Sequence, residues 1–191
     1  MIELEKKLPL TKEEYEYLLE NLGKNKPHIK QTNYYFDTED LSMNSQDITC
    51  RIRFKDGKYK GTIKRHTKAA NQSVETEVKV KNGIYDNALI DMGLMLHGAL
   101  VTERCTLFKN EACEVVLDKN SYLDYYDYEL EIEYHPPKEQ TANVALRVIM
   151  ELLLYKYPFL TAKNLCARLV NAPSKSKRFF DKIYTKINGG K

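Results

Sequence analysis

The strand-like segments of this chain carry rows of one-signed charge where an ordinary surface strand carries a mixture. Alternation with a period of two puts residues i, i+2 and i+4 on one face of a strand, about 6.6–6.8 Å apart. On such faces the sequence sets Glu129, Glu131 and Glu133 in one row and Arg51 and Arg53 in another. Further rows are Glu3, Glu5 and Lys7; Lys60, Thr62 and Lys64; Glu75, Glu77 and Lys79; and Glu114 with Asp118. The alternate positions are largely apolar: Ile52 and Phe54, Val74 and Val78, Val115 and Leu117, Leu130 and Ile132. A half-buried sheet with one face in water accounts for any single strand of this kind. It accounts poorly for the set, because like charges repel, and far more where they are partly buried.

Rows of carboxylates call for a compensating cation, either basic side chains or a hard metal such as Mg²⁺ or Mn²⁺. Rows of Arg and Lys suit phosphate oxygens. Together they have the composition of a site for a metal–polyphosphate complex. If the sheet closes on itself, the charged rows line a channel and the apolar rows pack outward under helices.

The remaining pattern supplies those helices. Thr11 with Glu14 forms a capping box, Tyr15, Leu18, Leu19 and Leu22 make an apolar stripe, and Gly23 stops the helix. Strands are expected over about 31–38, 48–55, 58–65, 73–80, 100–108, 112–119 and 127–135, besides 2–8. Asp56-Gly57 marks a hairpin and Asn110 a turn. A short helix is expected over about 86–97, a longer one over 140–156, and a third from Thr161 to about 170. The tail from Lys175 is basic and amphipathic. Some eight strands with inserted and trailing helices is an α+β pattern, read here as a single domain over 1–191.

Composition narrows the function classes. Lys+Arg 30 against Asp+Glu 27 leaves a net charge of +3, too small to mark a nucleic-acid binder. No apolar run approaches the ~18 residues that span a bilayer. The N-terminus lacks a signal peptide's apolar core. Cys50, Cys105, Cys113 and Cys166 are far apart, as in a reduced, cytoplasmic protein. His28, His66, His97 and His135 are scattered, and no P-loop or dinucleotide fingerprint occurs.

Glu3-Leu4-Glu5-Lys6-Lys7 fits an ExExK signature. Then come, in order, Tyr35-Phe36-Asp37-Thr38, Arg51-Ile52-Arg53, Lys64, Glu75-x-Glu77, Arg104, Asp118, Glu129-x-Glu131-x-Glu133 and Ser174-Lys175-Ser176-Lys177. This ordered set resembles the CYTH superfamily, the triphosphate tunnel metalloenzymes, and most of all its small bacterial YjbK-type members. The resemblance implies a closed eight-stranded antiparallel β-barrel, a triphosphate tunnel, with helices packed outside. It implies metal ligands among Glu3, Glu5, Glu75, Glu77, Asp118, Glu129, Glu131 and Glu133, holding Mg²⁺ or Mn²⁺. Phosphate oxygens fall to Lys7, Arg51, Arg53, Lys64 and Arg104, with Lys177 or Lys175 closing the ring. Glu3, Glu5, Lys7 and Glu131 are the catalytic candidates. The chain departs from the pattern at Ser73, where an Arg is common, and at Gly61, where a branched apolar residue is usual.

The activity so implied is divalent-metal-dependent hydrolysis of a triphosphate-containing small molecule, either inorganic triphosphate or a small organic one. A class IV-type adenylyl cyclase is the alternative, and a non-catalytic polyphosphate- or nucleotide-binding module a third. Neither nucleic acid nor membrane is an expected partner; a homodimer is compatible with the sequence.

Overall fold

The computed structural model describes residues 2–66, 72–81, 83–85 and 87–188. Strand β1 (Ile2–Leu10) runs into helix α1 (Lys12–Leu18) through the expected capping box. Thr11 Oγ1 accepts the Glu14 N–H at 3.2 Å, and the Glu14 carboxylate accepts the Thr11 N–H at 2.8 Å. Two N–H groups that a helix start leaves open are thereby satisfied. β2 (His28–Asp37) begins three residues earlier than the pattern indicates and ends in a tight structure built by Asp37. The buried Asp37 carboxylate accepts the backbone N–H of Thr38, Met43 and Asn44 at 2.7–2.9 Å, fixing a one-turn helix, α2 (Ser42–Ser45), that alternation does not signal.

β3 (Ile48–Lys55) and β4 (Lys58–His66) form the hairpin marked by Asp56-Gly57, whose φ angles of 49° and 74° match a type I′ turn. β5 (Gln72–Val78) pairs with β4, and Gly61 explains itself here. A Cβ on Gly61 would lie 2.6 Å from Val80 Cγ2 and 2.7 Å from the Val78 carbonyl oxygen. The branched residue usual there has no room.

The helix expected over 86–97 is short: α3 spans Asn87–Asp91 and Gly93, at φ 73°, closes it. The following residues join β6 (Met95–Lys109). Leu89 and Leu94 both enter one apolar cluster with Phe36 and Ile52, and a buried apolar run reads alike in helix and strand. β7 (Cys113–Tyr122) and β8 (Tyr125–Tyr134) complete the sheet; α4 (Glu139–Lys156), α5 (Ala162–Val170) and α6 (Lys175–Asn188) follow.

The strands make one curled antiparallel sheet in the order β1-β5-β4-β3-β2-β6-β7-β8. β8 pairs back onto β1 from Leu4↔Tyr134 to Leu10↔Tyr128, whereas the β1–β5 seam holds three register pairs. The main core lies outside the curl. There Leu8, Leu117, Leu130 and Ile132 pack under Leu18 of α1, Leu146 and Leu153 of α4 and Leu165 of α5. A row of residues buried at every second position on adjacent strands is what a sheet face covered by helices requires.

α6 corrects the expectation that all helices pack outside. Its Phe179, Phe180 and Ile183 pack on Tyr35, Leu100 and Tyr122, which lie on the inward faces of β2, β6 and β7. It therefore stops one end of the curl. Gly98 of β6 makes the contact possible: its φ is 146°, and a Cβ there would sit 3.0 Å from Phe179 Cζ. Among the described residues, no helix is long and apolar enough to cross a membrane.

Candidate functional site

The inward faces enclose a cavity of about 330 Å³ beside the N-terminal turn of α6. Among the described residues its charged lining is eight bases against five carboxylates. The bases include Lys7 from β1, Arg51 and Arg53 from β3, Lys64 from β4, Arg104 from β6 and Lys175 from α6. Glu5, Glu75, Glu131 and Glu133 are among the carboxylates. Strand parity puts them there: Glu5 faces Glu133 and Lys7 faces Glu131 across the β1–β8 ladder, and Lys64 faces Glu75 across β4–β5.

One wall is basic. Lys64 Nζ stands 3.6 Å from Glu5 and 3.5 Å from Glu75, and Arg51 Nη2 donates to Glu75 at 3.2 Å. Arg53 Nε donates to Asn33 Oδ1 at 2.9 Å. The Arg51 charge, and then burial, push the Arg53 guanidinium down to about 10. Arg51 Nε, buried in this wall, has no acceptor among the described residues, and neither has Asn33 Nδ2 beside Arg53. Buried donors left without acceptors are costly, so this wall is suited to an incoming anion.

The opposite wall is acidic and tightly compensated. Asp118, Glu129 and Glu131 bring carboxylate oxygens within 4.8 Å of one another. Lys175 Nζ sits among them at 2.8 Å from Asp118, 2.5 Å from Glu129 and 2.8 Å from Glu131. Arg104 forks onto Asp118 at 2.8 and 2.7 Å and reaches Glu131 at 2.6 Å. Arg178 forks onto both Asp127 and Glu129. Burial pushes the Glu129 carboxyl up, but Lys175 and Arg178 outweigh it and hold it at about 2. Burial acts likewise on Glu131, and Lys175, Lys7 and Arg104 hold it well below the usual carboxylate range. Burial favours a neutral Lys175, yet its three carboxylates keep its pKa above the ordinary lysine value.

Not every expected residue reaches the cavity. Glu77 shares a face with Glu75 but lies at the outer end of the strand, paired with Lys60 at 3.0 Å in solvent. Lys177 points away from Lys175 and meets Asp181 on the exposed side of α6. Of the two candidates to close the ring, Lys175 is the one that lines the cavity. Asp118 and Glu129 lie behind the lining, fully buried. The side chain of Glu3 lies outside the described residues.

The cavity also holds residues the alternation did not bring forward. Lys55 continues the Arg51–Arg53 parity and was readable from it. Lys109 was not, because a bulge between Thr106 and Phe108 reverses the parity of β6. Arg178, which lies off the cavity on Asp127 and Glu129, is legible only as a member of a basic run.

A curled antiparallel sheet with its charge inside and its apolar side under helices is a scaffold for gripping a compact polyanion. Its sequence identifies the lineage: the chain belongs to the CYTH family, whose domain matches residues 1–156. YjbK of Bacillus subtilis (strain 168), named as a triphosphatase, is 31% identical over 147 residues, covering 69% of this chain and 77% of that protein. A Bacillus halodurans crystal structure, named as an adenylate cyclase, is 25% identical with a TM-score of 0.64, covering 93% and 97% of the two chains. HpAC1 from Hippeastrum, an adenylyl cyclase by name described as having a dominant triphosphatase activity, shares the fold at TM-score 0.61 and 19% identity. That match covers 95% of each chain.

Proposed function

We propose that this protein is a divalent-metal-dependent triphosphatase, acting on inorganic triphosphate or a small organic triphosphate, with residues 1–191 working as one unit around a closed tunnel. The observation that carries this reading is the basic wall: Arg51, Arg53 and Lys64 converge on one cavity, and Arg51 Nε has no acceptor among the described residues. The likeness to YjbK, a triphosphatase by name, supports it.

Glu5, Glu131 and Glu133 fit a hard divalent ion, since all are oxygen donors on two adjacent strands facing the cavity. Glu3 shares their strand face and joins them as a candidate ligand. Mg²⁺ or Mn²⁺ held there would offset charge on the phosphate chain and favour ionisation of a water. Lys7, Arg51, Arg53, Lys64, Arg104 and Lys175 then neutralise the remaining phosphate oxygens, and most strongly where charge builds up during transfer. Glu131, kept ionised by the cations around it, orients a water for in-line attack on the terminal phosphorus, and the water's proton passes to solvent. The new P–O bond forms as the bridging P–O bond breaks, giving orthophosphate and a diphosphate. Four free cysteines support a reducing, cytoplasmic setting.

The test is to incubate the protein with tripolyphosphate and, separately, with ATP, in EDTA and with Mg²⁺ or Mn²⁺, and to separate the products. Orthophosphate from tripolyphosphate, lost in EDTA and regained with metal, is expected. Cyclic AMP and pyrophosphate from ATP with tripolyphosphate untouched would make the protein a cyclase. Binding of both without turnover would make it a sensor.

A further inference from the structure

The three glutamates of β8 lie on one strand face, yet the structure treats the first unlike the other two. Glu131 and Glu133 line the cavity, whereas Glu129 has no exposed surface and lies behind it. An ionised carboxylate offers about four acceptor directions. Among the described residues Glu129 is already held on both oxygens: its Oε1 accepts from Asn120 Nδ2 at 2.9 Å and Arg178 Nη2 at 2.9 Å and pairs with Lys175 Nζ at 2.5 Å, and its Oε2 accepts from Arg178 Nη1 at 3.0 Å. A metal ion at Glu129 would have to displace a cation that the fold already holds there.

The same guanidinium makes a second fork, onto Asp127, at 3.0 and 3.2 Å. It also donates to the Pro173 carbonyl oxygen at 2.9 Å, tying down the turn that starts α6. Lys175 and Arg178 are three residues apart and so share one helix face. Holding Arg178 fixes where Lys175 enters the cavity.

We propose that Glu129, Asp127 and Arg178 form a clasp that docks the first turn of α6 and positions Lys175 toward the phosphate chain, and that Glu129 binds no metal. This rests on the triphosphatase reading. Glu129 and Arg178 are thus positioning residues that act through Lys175.

The test compares Glu129→Gln, Arg178→Met and Glu131→Gln with the wild-type protein by three readouts: Mn²⁺ binding by electron paramagnetic resonance, KM and kcat for tripolyphosphate, and amide hydrogen exchange over 175–183. Glu129→Gln and Arg178→Met should leave Mn²⁺ affinity within about twofold while raising KM about tenfold, the worth of one charge-assisted hydrogen bond. Both should speed exchange in α6, and the double variant should cost little more than the worse single one, as for residues in one network. Glu131→Gln should instead weaken Mn²⁺ binding about tenfold or more, as expected for a lost ligand. A loss of Mn²⁺ affinity in Glu129→Gln, or unchanged α6 exchange in either clasp variant, overturns the proposal. Should Glu129→Gln fail to fold, Arg178→Met carries the same exchange and affinity tests. If the wild-type protein neither binds Mn²⁺ nor hydrolyses tripolyphosphate, the functional reading fails, while the exchange readout still judges the clasp.

Discussion

Replacing Lys175 with Met removes an ammonium that touches three buried carboxylates and keeps most of its apolar stem. Asp118, Glu129 and Glu131 would then share Arg104 and Arg178 with Asp127, leaving at least one negative charge buried and under-compensated. Removing one partner of a buried ion pair costs about 3–5 kcal/mol. The depression of Glu129 from 4.5 to about 2 is worth about 3 kcal/mol, of which Lys175 supplies a large share. The two routes agree, and they translate into a melting temperature lower by about 6–20 °C at pH 7 for a chain of this size. The pH dependence gives a second check. Glu129 and Glu131 have folded pKa values below their unfolded ones, so their contribution is present above about pH 4.5 and is lost as pH falls toward 2. Without Lys175 a carboxyl group takes up a proton earlier, which relieves the repulsion in the variant first. Urea unfolding of both proteins at pH 7, 5.5 and 4 should therefore show a gap that narrows as pH falls. A gap under about 1 kcal/mol at pH 7, or one that stays constant to pH 4, would refute the assignment of Lys175 as the counter-charge of this cluster.

Arg53→Ala should raise KM for tripolyphosphate about 10–100-fold with a smaller change in kcat, the loss of a charged hydrogen bond to phosphate; an unchanged KM would remove Arg53 from the grip. Because the Arg51 charge, then burial and Arg104, lower the Arg53 pKa to about 10, wild-type affinity for tripolyphosphate should fall as pH rises through that value. Arg51→Met should move the fall to higher pH, as calorimetric titration at several pH values would show. Gly98→Ala, at φ 146° and 3.0 Å from Phe179, should cost about 1–3 kcal/mol in urea unfolding; unchanged stability would mean that β6 and α6 can part without loss.

The rows of alternating charge carried much of the candidate site, because strand parity is a local property. Once a segment is extended, Glu5 and Lys7, Arg51 and Arg53, Glu131 and Glu133 must share faces. Parity fixes a side chain's face and leaves its depth along the strand open. Glu75 and Glu77 are equivalent by alternation, yet one lines the cavity and the other, two residues nearer the end of β5, pairs with Lys60 in water. Local irregularity also erases parity, as the β6 bulge does in turning Lys109 inward.

What the sequence determined by itself was the division of each strand into a charged and an apolar face, the capped helices, the hairpin at Asp56-Gly57 and the ordered motifs that resemble the CYTH family. The tertiary structure alone decided where α6 goes. Its amphipathic pattern fits a helix lying outside the sheet as well as one stopping its end. That end is chosen by Tyr35, Leu100 and Tyr122, which come from three strands far apart in the chain and offer Phe179 and Phe180 an apolar seat. The choice of Lys175 over Lys177 follows from it: two residues apart on a helix point to different sides, and only the docked orientation says which side meets the carboxylates. Alternation and capping act between residues a few positions apart, whereas a buried charge is matched by whatever the folded chain brings to it.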